Sequence, residues 1–549
     1  METSNTEYIV NSAIWAAYGD AIGFITELSD ENTLKWRINS TRVETTIPWR
    51  RRIGGQFGTI IKLPSGCYSD DTQLRLATSR AIRGDGKFDV EAFAKIEIPV
   101  WLSYALGAGR GSKAAAASLA KKDTAWTNNF YEIKTPNSRY VDNGGNGAAM
   151  RIQPHVWASR DRKDLSTFLP NVIRNAICTH GHPRGIAGAV FHALCLAFAL
   201  RTKSVPSPND WKEFAEQLNI VSTFVRSDNE LNEYWLPMWE KSVGSTLEVA
   251  FNKVVNECVE DIMRIQHLSS ADIQQHYARL VKEMGGLTAQ NRGSGTKTAI
   301  IAVMLAWTYK DDPSEAMKVS ANLLGSDTDS IATMAGAILG ATTNTKPEGE
   351  ICDRAYIESE ASRLADISNK IQRDSFIYPD LLKWDAPSVQ SDIVGIANNS
   401  LAVSGLGYAS QSKTYPDLKK KQDTVWEWLQ LSFGQHILAK RRNKPTVIPH
   451  TNLPVQLSKL TTDNNSYQVG QGRLFHEGKK RDHQVLNKLT FGEARKRVLN
   501  SKFDPTELGN VLLEFSKNEN DGAKFASRFA GIIAKEYIAK IKKDRMQKK

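Results

Sequence analysis

Tyr68-Ser69-Asp70-Asp71-Thr72-Gln73 and Gly325-Ser326-Asp327-Thr328-Asp329-Ser330-Ile331-Ala332 are two short acidic clusters about 255 residues apart. Each sets carboxylates beside hydroxyl side chains, and each opens a run of small and apolar residues at helical spacing. Ser and Asp are ordinary N-caps, and acidic side chains favour a helix's first turn, so either cluster alone reads as capping. Two such clusters in one chain shift that reading. Carboxylates at i and i+2 of a turn can aim at one ion, and oxygen donors without Cys or His select hard cations over zinc. If the fold joins the clusters, they form an oxygen-rich site with room for two divalent metals, Mg2+ or Mn2+.

Working outward, residues 1–375 carry apolar side chains at i, i+3, i+4 and i+7 far more often than at alternate positions. This predicts helices over 13–27, 71–82, 96–106, 183–200, 211–224, 245–265, 296–309 and 329–339, with glycine-rich loops at 51–58, 107–111 and 142–147. The longest apolar run, 186–200, is too short to span a bilayer comfortably and reads as a buried core helix, so no membrane association is expected. Asp20, in Gly19-Asp20-Ala21-Ile22-Gly23, shares a helical face with Glu27 seven residues on. A carboxylate on an Ala/Gly-lined helix needs a partner or a metal, so Asp20 reads equally as a buried acceptor. Glu27 by itself reads as a surface carboxylate. The loop Asp142-Asn143-Gly144-Gly145-Asn146-Gly147 exposes backbone N–H groups that suit a phosphate. In Thr179-His180-Gly181-His182-Pro183, His182 either completes a helix start or lines a substrate.

The chain has 549 residues, 41% hydrophobic and 24% charged, the profile of a soluble globular protein with more than one domain. Five scattered cysteines without CxxC spacing point to a reducing, cytoplasmic compartment and away from a disulfide framework. Charge is uneven. Residues 381–549 hold 29 Lys/Arg and 16 Asp/Glu, a net of +13, against −2 for residues 1–380. The division expected is therefore a domain over 1–380, a Ser/Gly/Asn-rich linker over 386–415, and a basic, mainly helical accessory domain over 416–549. Within the last, helices are expected over 424–440, after a Thr490-Phe491-Gly492-Glu493 capping box, after Asp504-Pro505, and over 523–541. The basic surplus is either a solvated face or a contact for nucleic acid.

Taken in order, these motifs resemble the ADP-ribosylglycohydrolase family, the group that includes the dinitrogenase-reductase-activating glycohydrolase. The matching pieces are Gly19-Asp20-Ala21-Ile22-Gly23 with Glu27, Tyr68-Ser69-Asp70-Asp71-Thr72-Gln73 and Asn146-Gly147-Ala148-Ala149-Met150-Arg151. Thr179-His180-Gly181-His182-Pro183, Gly293-Ser294-Gly295 and the second acidic cluster complete the set, over residues of about 5–375. The resemblance implies a compact all-α, orthogonal helical domain with a binuclear Mg2+ or Mn2+ centre at the base of an ADP-ribose cleft. Carried over, the metal ligands are Ser69, Asp70, Asp71, Asp327, Asp329 and Ser330. The catalytic residues that the resemblance implies are Glu27, Asp71 and Asp327, with Glu27 the acidic residue beside the metals. Asn143, Gly144, Gly145, Asn146 and Gly147 form the diphosphate cradle, with His182 lining the substrate. Ser69 and Ser330 stand where the family commonly has Thr, which keeps the oxygen and loses the stiffening β-branch. The implied reaction releases ADP-ribose from an ADP-ribosylated macromolecule, protein or nucleic acid. The alternatives are a non-catalytic ADP-ribose binder and a metal-dependent phosphohydrolase that cuts the diphosphate.

Overall fold

The computed structural model describes residues 5–55, 58–134, 137–416, 423–454, 489, 491–517 and 522–547. The Ala- and Gly-rich start of the chain forms α1 (Asn5–Thr26), buried from Ile9 to Thr26. A helix apolar on every side belongs in a core, and α1 is central to this one. Around it lie α2 (Asp70–Ala81), α3 (Pro183–Thr202), α4 (Gly295–Thr308) and α5 (Thr328–Gly340). Among the described residues only α3 is long and apolar enough to cross a membrane, and it is a buried core helix, as its sequence predicts.

α1 and α5 run antiparallel at unusually short range. A Cβ added to Gly19 would stand 2.3 Å from the Ala332 carbonyl oxygen, and one on Gly23 would stand 2.5 Å from the Asp329 Cα. On the other helix, Gly336 and Gly340 would meet the Trp15 and Asn11 carbonyl oxygens, both at 2.4 Å. Glycine four residues apart on both helices is therefore what lets the backbones touch. Hydroxyls fix the register: Ser12 donates to Ala337 O (2.7 Å), Thr333 to Ala16 O (2.8 Å) and Thr328 to Gly23 O (2.8 Å).

The helical class holds, with local differences. The expected helix 211–224 is two, Pro208–Glu216 and Ile220–Ser227, and 96–106 contracts to a π-helical turn, Phe93–Glu97, followed by Ile98–Trp101. Of the stretch 51–58, read as a loop, residues 51–53 belong to β1 (Trp49–Ile53), which forms an antiparallel hairpin with β2 (Thr59–Leu63), in register Trp49↔Leu63 to Ile53↔Thr59. Trp49, Ile53, Ile61 and Leu63 face in, and a run of arginines between Trp49 and Ile53 hides that alternation.

Beyond residue 393 the expectations need correction. Segment 386–415, expected as a linker, and 424–440, expected as helix, contain five antiparallel strands in sequential order. These are β3 (Val394–Ala397), β4 (Ser400–Val403), β5 (Gly407–Pro416), β6 (Thr424–Leu431) and β7 (His436–Arg442). A parallel bridge from Ile396 to Val447 curls the sheet toward itself. Val425, Trp428 and Leu429 satisfy either period, and the β-branched and aromatic content of Thr424–Leu431 decides for strand. Helices return as α6 (Phe491–Asn500), α7 (Pro505–Ser516) and α8 (Gly522–Gln547). As expected, Asp504 caps α7, accepting from the Thr506 (3.0 Å) and Glu507 (2.9 Å) amides. Thr490 of the expected capping box and the terminal Lys548 and Lys549 lie outside the described residues.

The helical tail packs on the first domain through Tyr234 and Leu382, and through a buried charge cluster. Arg495 faces Glu536 (2.5 Å), Glu230 (3.2 Å) and Glu91 (3.4 Å). One guanidinium cannot neutralise three carboxylates. Burial pushes Glu91 up to about 7 and raises Glu536 as well.

Two outcomes follow from this packing. Gly336→Val should separate α1 from α5 and cost about 3 kcal/mol, read as a lower urea midpoint. Folded Glu91 keeps a proton that the unfolded chain gives up near the ordinary glutamate value. Its stabilising contribution is thus present below that value and is lost as pH rises toward 7. The urea midpoint should fall between pH 5 and 7.5, and Glu91→Gln should flatten the fall.

Candidate active site

Two helix N-termini, those of α2 and α5, point into one cleft, and their capping explains why the acidic side chains there are available. At α2 the cap is Ser69, whose Oγ accepts from the Asp71 amide (3.2 Å). The second cap comes from another helix. Asp20 on α1, fully buried, accepts from the Ser69 and Thr72 amides, both at 2.8 Å. Asp20 is thus the buried acceptor that its sequence context allowed, and Arg75, which donates to Thr72 and Thr333, supplies a nearby positive charge. Asp70 and Asp71 are left free of capping duty. At α5 the N-cap Asp327 makes no side-chain cap and instead accepts from Asn146 Nδ2 (3.0 Å). The capping reading therefore fails for Asp70, Asp71 and Asp327.

The clusters meet at Asp71. Its Oδ2 lies within reach of hydroxyls from both: Ser69 at 3.3 Å and Ser330 at 3.4 Å. Its Oδ1 is buried with no hydrogen-bond partner. Glu27, Asp70, Asp71, Asp327 and Asp329 all line a single cavity of about 590 Å3, a volume suited to a small-molecule ligand. Burial raises Asp20 and Asp327, and it raises Asp70, Asp71 and Asp329 well above the carboxylate range. Neighbouring carboxylates add to the shift of all but Asp20. Oxygen donors alone, one of them an unpartnered buried carboxylate oxygen, fit a hard divalent cation. They are not closed into a cage: among the described residues no three His, Cys, Asp or Glu side chains stand together in metal-holding geometry.

The glycine loop forms the opposite wall. Gly145 bridges to Ser294, the Asn146 amide donates to Gly293 O (2.8 Å), and the Gly295 amide donates to Gly144 O (2.9 Å). Gly144 tolerates no side chain easily, since a Cβ there would stand 3.1 Å from His182 Nδ1. Asn143, Gly144, Gly145, Asn146 and Gly147 all face the cavity, as does His182. Of the roles considered for His182, the structure shows the helix start: its Nδ1 caps α3 by accepting from the Arg184 amide (3.1 Å), and the residue also borders the cavity. His180 is more deeply buried, held at about 3 by desolvation, and hydrogen-bonded to Thr179 (2.7 Å).

Glu27 is buried just past the end of α1, where the chain turns through a left-handed Leu28 (φ 51°). Arg51 of β1 donates to its Oε2 at 2.9 Å and stacks on Phe24, 4.2 Å from the ring centre. Sequence reasoning missed Arg51, because no local pattern links a strand arginine to a carboxylate 24 residues earlier. It also read 107–111 only as a loop. Gly107, with φ 87°, passes directly over Asp70 and Glu27; a Cβ there would stand 3.0 Å from Asp70 Oδ1.

The geometry defines a polar, carboxylate-floored cleft between helix N-termini and a glycine loop. The chain belongs to the ADP-ribosylglycohydrolase family, whose sequence profile matches residues 7–365. It is similar to the uncharacterized protein YegU of Escherichia coli K12, 26% identical over 61% of this chain and 87% of that protein. It is also similar to the ADP-ribosylhydrolase ARH3 of Xenopus tropicalis, 25% identical over 50% of this chain and 73% of the relative. The Danio rerio ARH3 is 26% identical over 50% and 69%. A solved structure titled as an ADP-ribosylglycohydrolase-related protein complex aligns with a TM-score of 0.39 and 19% identity, over 66% of this chain and 99% of that one.

Because Asp20 satisfies two backbone amides of a different helix, Asp20→Ala should cost about 2–3 kcal/mol in urea unfolding.

Proposed function

We propose that this chain hydrolyses the glycosidic bond joining ADP-ribose to a macromolecular acceptor, with two Mg2+ or Mn2+ ions as cofactors. The observation that carries this reading is the convergence of Ser69 and Ser330 on Asp71, whose second oxygen is buried without a partner. Ser69, Asp70, Asp71, Asp327, Asp329 and Ser330 are the proposed ligands. When bound, such ions supply charge that offsets the carboxylate repulsion and Lewis acidity that favours ionised water.

The remaining roles fall to the chain's own groups. Residues 143–147 line the cavity, where this glycine loop would hold the diphosphate, and His182 borders the same cavity. Binding energy from that remote end positions the scissile bond over the carboxylate floor. In hydrolysis the C1″ bond to the acceptor breaks with oxocarbenium character, water oxygen bonds to C1″, and a proton passes to the leaving group. Glu27, fixed by Arg51 at the cavity wall, is placed to take the water proton or to orient the ribose. The basic surplus of residues 381–549 suits an anionic acceptor such as DNA or RNA.

The test is mass-spectrometric product analysis on arginine-, serine- and nucleic-acid-linked ADP-ribose. Release of intact ADP-ribose should require Mg2+ or Mn2+ and stop with a chelator. AMP as the product would instead indicate diphosphate cleavage. Asp327→Ala should lower turnover by at least about a thousandfold without unfolding the protein, since Asp327 makes no cap bond and gives up one hydrogen bond from Asn146. Wild-type-like turnover at saturating metal would exclude the two-ion scheme.

A further inference from the structure

The five-stranded sheet lies outside the family match, which ends at residue 365. Its contacts nonetheless converge on the two walls of the cleft. On one side, the Trp426 indole of β6 lies over the hairpin turn, with Cζ2 and Nε1 both 3.7 Å from where a Cβ on Gly54 would stand. Gly54 follows β1 directly, with φ 82°, and β1 carries Arg51, the partner of Glu27. On the other side, Gln435 accepts from Arg80 Nη1 (2.7 Å) at the end of α2, the helix that begins with Asp70 and Asp71. Next to it, the His436 amide donates to Asp353 (3.0 Å), and its imidazole Nδ1 lies 2.6 Å from the same carboxylate. Asp353 also accepts from the hydroxyl of Tyr68, one residue before Ser69.

We propose that this sheet is a built-in part of the active site, with Trp426 as a positioning residue that holds the β1–β2 hairpin so that Arg51 fixes Glu27. The proposal rests on the hydrolase reading for its kinetic consequence and on packing alone for its structural one. An arginine on a two-stranded hairpin has little intrinsic rigidity, because isolated hairpins are marginal in water. The cleft side of the hairpin is secured by Phe24 and Trp49, which pack edge to face at 5.1 Å. The turn is secured from outside by Trp426. Displacing the turn by an ångström would misalign Glu27 without emptying the ADP-ribose cavity, and misplacement on that scale costs turnover rather than binding.

The experiment uses the full chain with Trp426→Ala and Trp426→Phe. Amide hydrogen exchange over residues 49–53 and 59–63 is measured beside kcat, KM and calorimetric ADP-ribose affinity. Trp426→Ala should exchange faster in the hairpin and lose about tenfold in kcat, with KM and ADP-ribose affinity within twofold of wild type. Trp426→Phe should restore most of both. Unchanged exchange, wild-type kcat, or a joint loss of kcat and affinity would each overturn the proposal. A wild-type chain that releases no ADP-ribose would count against the hydrolase reading, and the hairpin exchange would still decide whether Trp426 holds the turn.

Discussion

Everything at the cleft is referred to one contact, the antiparallel approach of α1 and α5 across Gly19, Gly23, Gly336 and Gly340. With Gly23 against the Asp329 Cα, the second acidic cluster is fixed to within a backbone's width of α1. Glu27 then emerges just past the end of the same helix. Asp20, between the two α1 glycines, reaches the opposite way and anchors the N-terminus of α2. α1 is therefore the common reference for both clusters. A side chain at any of the four glycines would alter the distance between clusters before it altered either one.

The electrostatics follow from that geometry. Five carboxylates line one cavity, and most are desolvated, which raises their affinity for protons and for any cation. Hydroxyls and helix N-termini give partial compensation, since the first-turn amides of α2 and α5 carry partial positive charge. Arg75, behind Asp20 and Asp71, adds a full charge without entering the cavity. The floor is held together by backbone capping, which leaves its acidic side chains with unspent acceptor capacity. Asp71 Oδ1 is the clearest case.

The C-terminal region joins the first domain by two different kinds of interface. The sheet shares the first domain's apolar core through Leu429, Leu431 and Leu438, packs Phe433 on Tyr356 and Phe376, and adds Gln435, His436 and the Trp426 indole behind the cleft walls. The helical tail contributes an aromatic core around Phe515, Phe525 and Phe529, with Arg495 surrounded by acid. Buried charge of that kind is sensitive to protonation in a way that the aromatic core is not.

The sequence by itself determined the helical class, the acidic clusters, the glycine loop and the order in which they occur. These are local patterns: small residues every four positions, carboxylates beside hydroxyls, glycine where backbone must be exposed. The tertiary structure alone decided that Asp20 caps a helix to which it is not covalently adjacent, and that Ser330 reaches Asp71. It also decided that Arg51 serves Glu27 and that 394–416 and 424–442 contribute the strands of a sheet. Each of these depends on contacts between segments far apart in the chain, or on a period that Val425, Trp428 and Leu429 fit in two ways. Local propensity carries no information about which distant backbone amide a carboxylate will meet. Packing decides it, because a buried donor or acceptor must find its partner among whatever the close approach of helices brings within reach.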